Sequence, residues 1–431
     1  MPGSEPFVRA IPVAWSAFSD EIYTAPLSWT ERADPKLIHY NRLLKGGHFA
    51  TWEQPQVFLH FLRAAFRRDM SRIQLESYRR WTNVRGNQPR PPPLFGHRDN
   101  EYCRRSAQHD WFRWCTVRQD KTSERSPDQA GDNTSFSALK QIDAGLLSVG
   151  YAEAGPLDGP AVVLLQGWPY DIYSYVDVAP LLASAGYRVI VPYLRGFGPT
   201  RFLSSDTFRN GQQSAVALDI INLMDALKIK SAILGGFDWG GRTVDIIAVL
   251  WPERCKALVS VSGYLIREAQ KNPFPPKAEL QWWYQYYFAT ERGRAGYDKY
   301  RHDFAKLIWT IASPKWNFDD ATFDRSAASF DNPDHVSIVI HNYRWRIGVA
   351  EGESKYDDWE KRLAVGPVIT VPTISLEGDA NGAPHYPDDT AYRNKFSGKY
   401  AYRLITGGVG HNLPQEAPQA FAQAIVDVDH M

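Results

Sequence analysis

Few cysteines, no charge imbalance and no long apolar run exclude several large classes of protein. The 431 residues include three cysteines, Cys103, Cys115 and Cys255, too few for a disulfide framework and without the paired spacing of zinc ligands. Lysine plus arginine (49) balance aspartate plus glutamate (48), so a net charge of +1 favours neither nucleic acid nor an anionic membrane. No run approaches the roughly 20 apolar residues of a membrane-spanning helix.

The amino-terminal sequence and the composition narrow the class further. Residues 1–23 lack a basic stretch followed by an apolar run, so we expect no export signal and a cytoplasmic location. Hydrophobic residues make up 44% and charged residues 23%, as in ordinary globular proteins, which excludes wholesale disorder. The sequence therefore predicts a soluble globular protein, with a high aromatic content of 13%.

Residues 136–431 alternate short apolar runs with segments of helical periodicity. Apolar residues recur every three or four positions between the runs, which is typical of amphipathic helices. The alternation predicts an α/β fold with a mostly parallel sheet flanked by helices, whose ligands bind at the carboxyl ends of the strands. The runs that predict strands buried on both faces are residues 161–167, 187–193, 231–237, 255–263 and 371–378.

Two further segments differ from this pattern. Residues 264 to about 350 are helical in pattern and rich in Trp and Tyr, so we predict a helical cap over the site. A helical excursion with its own aromatic core is the alternative. Residues 68–135 are rich in arginine, poor in aliphatic residues and interrupted by prolines, which predicts a poorly ordered linker. Since no fold is predicted there to present the arginines, we expect no nucleic-acid partner.

Residues 1–67 contain a pattern that recurs near the carboxyl terminus. GGHFATWEQPQVF (46–58) and VGHNLPQEAPQAF (409–421) share Gly-His, a proline seven residues after the histidine, then Gln and Phe at matching offsets. Each precedes an apolar segment with helical spacing. We therefore predict that residues 1–67 form a second copy of a terminal strand-loop-helix unit. Chance similarity is the alternative.

The most informative string is SAILGGFDWGGR (231–242), in which Asp238 lies two residues from Gly236 and two from Gly240. Small residues on both sides permit a sharp strand-to-helix turn that raises the central side chain at the sheet edge. A carboxylate that attacks carbon becomes an ester that water can hydrolyse, whereas a serine would become a stable ether. The pattern thus predicts Asp238 as a nucleophile for epoxide opening or halide loss. A helix-capping aspartate is the alternative.

Two residues further along the chain fit the order nucleophile, acid, histidine. Asp379 follows the run that ends at Gly378, and His411 lies in a glycine-rich loop before the last helical segment. We predict that His411 activates water while Asp379 orients the imidazole. Glu377 is a rival acid, which we disfavour because it falls inside the strand.

A loop after a neighbouring strand can supply backbone donors to the same site. Gln166 to Pro169 end the run AVVLLQG, and the loop can direct the Trp168 amide towards Asp238. Together with the Trp239 amide it would form an oxyanion hole. A plain turn is the alternative.

On these motifs, residues 136–431 resemble the epoxide hydrolase and haloalkane dehalogenase branch of the α/β-hydrolase fold. The family's Gly-x-Asp-Trp-Gly-Gly elbow is matched by residues 236–241. Its His-Gly-x-Pro loop is matched by residues 166–169, except that Gln166 replaces the histidine.

The resemblance also implies two cap tyrosines whose hydroxyls bind the epoxide oxygen. By local similarity these are Tyr284 and Tyr343, although Tyr286 and Tyr287 are neighbours that can be confused with the first. Residues 5–67 resemble the carboxyl-terminal end of an epoxide hydrolase with His48 in the position of its base. Because no elbow or acid precedes it, we assign His48 no catalytic role.

The implied reaction opens an epoxide to a vicinal diol through an aspartyl ester. It takes a small-molecule epoxide and water, and it requires no metal or organic cofactor. Haloalkane dehalogenation by the same chemistry, ester or lactone hydrolysis, and a catalytically weak binding scaffold remain alternatives. The oligomeric state, monomer or homodimer, stays open.

Overall fold

The computed structural model describes residues 13–20, 27–33, 36–47, 55–65, 135–136, 138–266 and 276–431. The chain divides into two compact units, residues 1–119 and 120–431. The predicted linker over residues 68–135 lies almost entirely outside the described residues, and so does His48.

The amino-terminal unit contains two parallel strands, β1 (Val13–Asp20) and β2 (Leu37–Gly47). Helix α1 (Leu27–Ala33) lies between them in the chain, and helix α2 (Pro55–Ala65) follows β2. Proline suits the first turn of α2 because an N–H there has no partner within the helix. A strand and a helix thus flank the recurring Gly-His pattern.

A nine-stranded sheet forms the centre of the described part of the carboxyl-terminal unit. Its strands are β3 (Lys140–Ala144), β4 (Leu147–Ala154), β5 (Ala161–Leu165), β6 (Arg188–Pro192), β7 (Arg201–Phe202), β8 (Ala232–Gly236), β9 (Cys255–Val261), β10 (Thr373–Gly378) and β11 (Tyr400–Ile405). Their order is β11-β10-β9-β8-β5-β6-β4-β3, with β7 paired to β4. Strands β5, β6 and β8 to β11 pair in parallel, and β4 pairs antiparallel with β3, β6 and β7. The predicted α/β class with a mostly parallel sheet is confirmed.

All five strands predicted from continuous apolar runs form, and β8 is buried along its whole length. Within this sheet, three strands of more than two residues were not predicted: β3, β4 and β11. Strand β11 lies at the edge of the sheet, where its residues are only half-buried or exposed, so it carries polar side chains that interrupt the apolar run.

Helices connect the parallel strands, and further helices separate β9 from β10. The connecting helices are α3 (Val178–Ser184), α4 (Gln213–Ala226) and α5 (Trp239–Leu250). The helical insertion comprises α6 (Pro276–Gln281), α7 (Trp283–Ala289), α8 (Glu291–Ala312), α9 (Asp320–Ala327), α10 (His335–Arg346) and α11 (Asp357–Ala364). Helices α12 (Leu413–Glu416) and α13 (Pro418–Asp429) end the chain. In the described part of the chain, no helix is both long and apolar enough to cross a membrane.

Candidate active site

Asp238 occupies the turn between strand β8 and helix α5. Its backbone has φ 51° and ψ −119°, a conformation that residues other than glycine rarely adopt. The turn requires glycines nearby: a Cβ on Gly236 would lie 2.5 Å from the Gly240 backbone, and a Cβ on Gly240 would lie 1.9 Å from the Leu165 carbonyl oxygen. The flanking glycines therefore permit a strained turn that places the Asp238 side chain in a cavity.

The Asp238 carboxylate is held between a histidine and backbone amides. Its Oδ1 accepts a hydrogen bond from the Trp168 amide at 2.7 Å, and its Oδ2 lies 3.6 Å from His411 Nε2. Burial raises the pKa of Asp238, but the contact with His411 and the amides of Trp168 and Trp239 outweigh burial, so the net pKa lies below its ordinary value. The carboxylate is therefore ionised at neutral pH.

The loop that carries Trp168 is braced by buried side chains. The Trp309 indole donates to the Pro169 carbonyl oxygen at 2.6 Å. Gln166, which replaces the family's histidine, is fully buried, and its Nε2 lies 3.5 Å from the Tyr170 carbonyl oxygen. The replacement leaves the Trp168 amide directed at Asp238.

His411 lies in the loop between strand β11 and helix α12. Its backbone amide donates to Ser313 Oγ at 2.9 Å, which anchors the loop to the helical insertion. The ring is buried, with Nε2 towards Asp238. Among the described residues, Nδ1 of the ring has no hydrogen-bond partner.

The expected hydrogen bond between Asp379 and His411 is not formed. Asp379 is exposed at the end of β10, and its carboxylate accepts the amides of Gly407, Gly408 and Val409 at 3.1, 2.8 and 3.0 Å. Desolvation raises the pKa of Asp379, but these three amides outweigh it and lower the net value. The correction is that Asp379 contacts the backbone leading to His411 rather than its ring, because loop amides already surround the carboxylate.

Two other carboxylates lie near this loop. The rival acid Glu377 is buried, and its Oε1 accepts from the Asn381 side chain at 2.8 Å. Glu416 accepts from the amides on either side of His411, at 2.6 Å from Gly410 and 3.1 Å from Asn412. Burial raises the pKa of Glu416 even though its hydrogen bonds and the charge of His411 favour the ionised form.

Sequence reasoning missed Glu416, although the chain carried a signal for it. Glu416 stands five residues after His411, and Glu53 stands five residues after His48. The recurring pattern therefore includes an acid at a matching offset. In the carboxyl-terminal unit this glutamate supports the histidine loop through hydrogen bonds, so the matching offset was a signal for that role.

The two predicted tyrosines lie together beside Trp168. Tyr284 lines the cavity, and its ring centroid is 5.3 Å from that of Tyr343. The Tyr343 hydroxyl accepts a hydrogen bond from the Trp239 indole at 3.2 Å. Burial raises the pKa of Tyr284 and raises that of Tyr343 well above its ordinary value, so both phenols remain protonated.

The neighbouring tyrosines point elsewhere. Tyr286 is 41% exposed. The ring of Tyr287 stacks on Phe304 at a centroid distance of 5.9 Å. Of these three tyrosines, Tyr284 is the one that lines the cavity.

A chain of hydrogen bonds that sequence reasoning missed holds the Trp168 side chain. Its indole donates to Tyr297 Oη at 2.9 Å, Tyr297 Oη lies 2.9 Å from His335 Nε2, and His335 Nδ1 lies 2.9 Å from the Gly196 carbonyl oxygen. Burial lowers the pKa of His335 to about 3, so the ring is neutral, donates to the carbonyl and accepts from the tyrosine. These hydrogen bonds hold the Trp168 indole, while its backbone amide donates to Asp238.

The cavity at the elbow is small and has charged walls. It encloses about 100 Å³ and is lined by Asp238, His411 and Tyr284, together with Arg242 and Arg346. The sequence analysis singled out neither arginine. Within the described residues there is no cluster of three or more side chains suited to hold a metal ion.

Comparisons with known proteins agree with this architecture. The α/β-hydrolase fold family matches residues 160–298. Epoxide hydrolase 2 from Siraitia grosvenorii is 38% identical over 293 residues, which cover 62% of this chain and 91% of the relative. The crystal structure of a proposed epoxide hydrolase from Klebsiella pneumoniae has 62% identity and a TM-score of 0.68, covering 70% of this chain and all of that one. Potato epoxide hydrolase I, at 20% identity and a TM-score of 0.55 over 67% of this chain and 98% of its own, shares the fold.

Proposed function

The chain belongs to the epoxide hydrolase family of the α/β-hydrolase fold, and we propose that it opens small epoxides to vicinal diols through an ester on Asp238. The observation that carries the proposal is the ionised Asp238 carboxylate, 3.6 Å from His411 in a cavity that also contains Tyr284. A nucleophile, a base and a phenol donor are the groups that this reaction requires.

In the first step, Asp238 attacks a carbon of the epoxide and the C–O bond of the ring breaks. Negative charge develops on the epoxide oxygen, which accepts hydrogen bonds from Tyr284 and Tyr343 and takes a proton from one of them. Their raised pKa values keep both phenols protonated before the reaction. The tyrosinate regains its proton through water, and the proton that Asp238 releases when it ionises again after the second step balances this transfer.

In the second step, His411 takes a proton from water, and the resulting hydroxide adds to the carbonyl carbon of the ester. The Trp168 amide, which already donates to the carboxylate, and the Trp239 amide stabilise the oxyanion. When the intermediate collapses, the leaving alkoxide takes the proton from His411 and the diol departs. Asp379 supports this step by holding residues 407–409.

Dehalogenation is disfavoured because both indole N–H groups near Asp238 already donate to tyrosine hydroxyls. A departing halide needs N–H groups, but the Trp239 indole donates to Tyr343 at 3.2 Å and the Trp168 indole donates to Tyr297 at 2.9 Å. A halide would have to displace both tyrosine hydroxyls. An epoxide instead uses phenol hydroxyls directly.

The test is incubation with propylene oxide, styrene oxide, a bromoalkane and a simple ester in water enriched in ¹⁸O. We expect diol from an epoxide, and ¹⁸O in the Asp238 peptide after repeated turnovers. Diol without label in Asp238 would contradict the ester intermediate. Release of bromide alone, cleavage of the ester alone, or no product would overturn the proposed reaction. Asp238→Asn is the control.

A further inference from the structure

Two guanidinium groups face the small cavity that contains the nucleophile. Arg242 lies one turn into helix α5, four residues after Asp238, and Arg346 ends helix α10. Both line the cavity, and Arg242 is 7% exposed. A neutral epoxide needs neither charge, so their presence calls for a separate explanation.

Neither guanidinium is neutralised within the described part of the chain. Neither takes part in an ion pair there, and the Nε of each lacks a hydrogen-bond partner. Arg242 has one long contact, 3.4 Å from Nη2 to Asn342 Oδ1. Beyond this the two groups lie over aromatic rings, Arg242 at 5.9 Å from Trp239 and Arg346 at 5.3 Å from Trp282.

Another buried arginine in the same unit shows the contrast. Arg195 forms a double hydrogen bond to Asp219, at 2.6 Å for each nitrogen, and also donates to the carbonyl oxygens of Asn210 and Ala215. A buried charge is costly unless it is paired. The fold thus pairs a buried arginine fully in one place, whereas the cavity arginines form no ion pair with any described residue.

The acids that face Arg242 are engaged with other groups. Asp238 is bound to Trp168 and His411, and Glu360 accepts from Ser214 and Gln213. Burial, together with the charge of Arg346, lowers the pKa of Arg242 to about 10, so the group still carries its charge at neutral pH. Within the described residues, two positive charges therefore lie beside the reacting centre without an ion pair.

We infer that the substrate is a small epoxide that carries a carboxylate, which binds Arg242 and Arg346; this inference rests on the proposed function. The planar guanidinium fork matches a carboxylate through two parallel hydrogen bonds. The cavity encloses about 100 Å³, and a cavity of about 150 Å³ accommodates benzene. Its size therefore suits a compact acid such as an oxirane carboxylate, and the carboxylate also supplies the missing negative charge.

The first experiment compares glycidate with glycidamide, its neutral analogue of nearly equal size. We expect kcat/KM to favour glycidate, and Arg242→Gln or Arg346→Gln to lower the ratio of the two values by about 10- to 100-fold, the usual effect of losing a charge-assisted hydrogen bond. The matched control is Arg344→Gln, because Arg344 lies on the same helix but pairs with Glu291 at 2.9 Å. It should leave the ratio unchanged.

A second experiment does not depend on turnover. Calorimetric titration of the full chain with cyclopropanecarboxylate and with cyclopropanecarboxamide should show preferential binding of the acid, which is lost in the Arg242 and Arg346 variants. Equal binding of both compounds, or an unchanged glycidate ratio in folded arginine variants, overturns the inference. Opening of neutral epoxides without any charge preference refutes the carboxylate but keeps the proposed function. Arginine-dependent binding of the acid without opening of any epoxide refutes the proposed function but keeps the carboxylate-binding site.

Discussion

The two units of the chain present the same terminal pattern in different surroundings. In the amino-terminal unit, β1 pairs in parallel with β2, and helix α2 follows the Gly-His sequence. In the carboxyl-terminal unit, β10 pairs in parallel with β11, and helices follow His411. There, β10 also pairs with β9, and β9 pairs with the elbow strand β8.

The comparison shows that a histidine loop acquires its chemistry from strands far away in the chain. His411 faces Asp238 because β8 to β11 lie side by side and their carboxyl ends meet at one edge. Among the described residues the amino-terminal unit has a two-stranded sheet, an arrangement that is marginal when isolated in water. The sequence of residues 1–67 contains no Gly-x-Asp-Trp-Gly-Gly elbow that could supply a nucleophile.

The largest difference between the units should come from the paired substitutions His411→Gln and His48→Gln. We expect His411→Gln to lower turnover by about 10³-fold, within the range for loss of a general base. The ester should still form, so intact mass should show an adduct on Asp238. His48→Gln should leave turnover unchanged. An effect of His48→Gln close to that of His411→Gln would show that both loops act in the reaction.

A smaller effect is expected at the helical insertion, which has no counterpart among the described residues of the amino-terminal unit. Tyr284→Phe or Tyr343→Phe should slow alkylation in a single turnover by about 10- to 100-fold, because each loses one hydrogen bond to developing charge. Tyr286→Phe is the matched control, since Tyr286 is exposed. Unchanged alkylation rates in the first two variants would remove the tyrosines from the mechanism.

The role of Asp379 is tested by Asp379→Asn. We expect turnover to fall by up to about tenfold, since a neutral amide accepts the loop amides more weakly. The pKa of Asp379 is lowered in the folded protein. The carboxylate therefore stays ionised at any pH above the ordinary pKa of about 3.9, and it is protonated only when the pH falls through the lower pKa of the folded state. The effect should therefore be constant from about pH 5 to 9. A loss as large as that of His411→Gln would instead indicate direct support of the imidazole.

The smallest effect should follow removal of residues 1–119, the whole amino-terminal unit. We expect kcat and KM for the best epoxide to stay within about twofold, as for a domain that folds independently. Steady-state kinetics of the truncated and full chains give the comparison. A soluble, folded truncation with much lower activity would show that the amino-terminal unit contributes to the site.

Much of the fold followed from local patterns. Continuous apolar runs predicted β5, β6, β8, β9 and β10, since strands buried on both faces carry few polar residues. Edge strand β11 carries Arg403 and half-buried tyrosines, so its pattern was too weak. The elbow could also be predicted from the sequence, because the turn at Asp238 requires Gly236 and Gly240 within a few residues.

The contacts between side chains of the site were harder to predict from the sequence. The position of Asp379 after β10 was predicted, but its partners are amides of residues 407–409 rather than His411. Glu416 was missed despite its matching offset. Arg242 was visible beside the elbow, but only the distances in the structure show that it forms no ion pair with a described acid.

The amino-acid order was enough to specify the sheet, the elbow and the types of group available for chemistry. These depend on backbone conformation and periodicity over a few neighbouring residues. Packing of remote segments decided which carboxylate meets which amide, which tyrosine lines the cavity and which arginines stay unpaired. Such contacts depend on differences of one or two ångströms between side chains that lie far apart in the chain, and no local pattern encodes them.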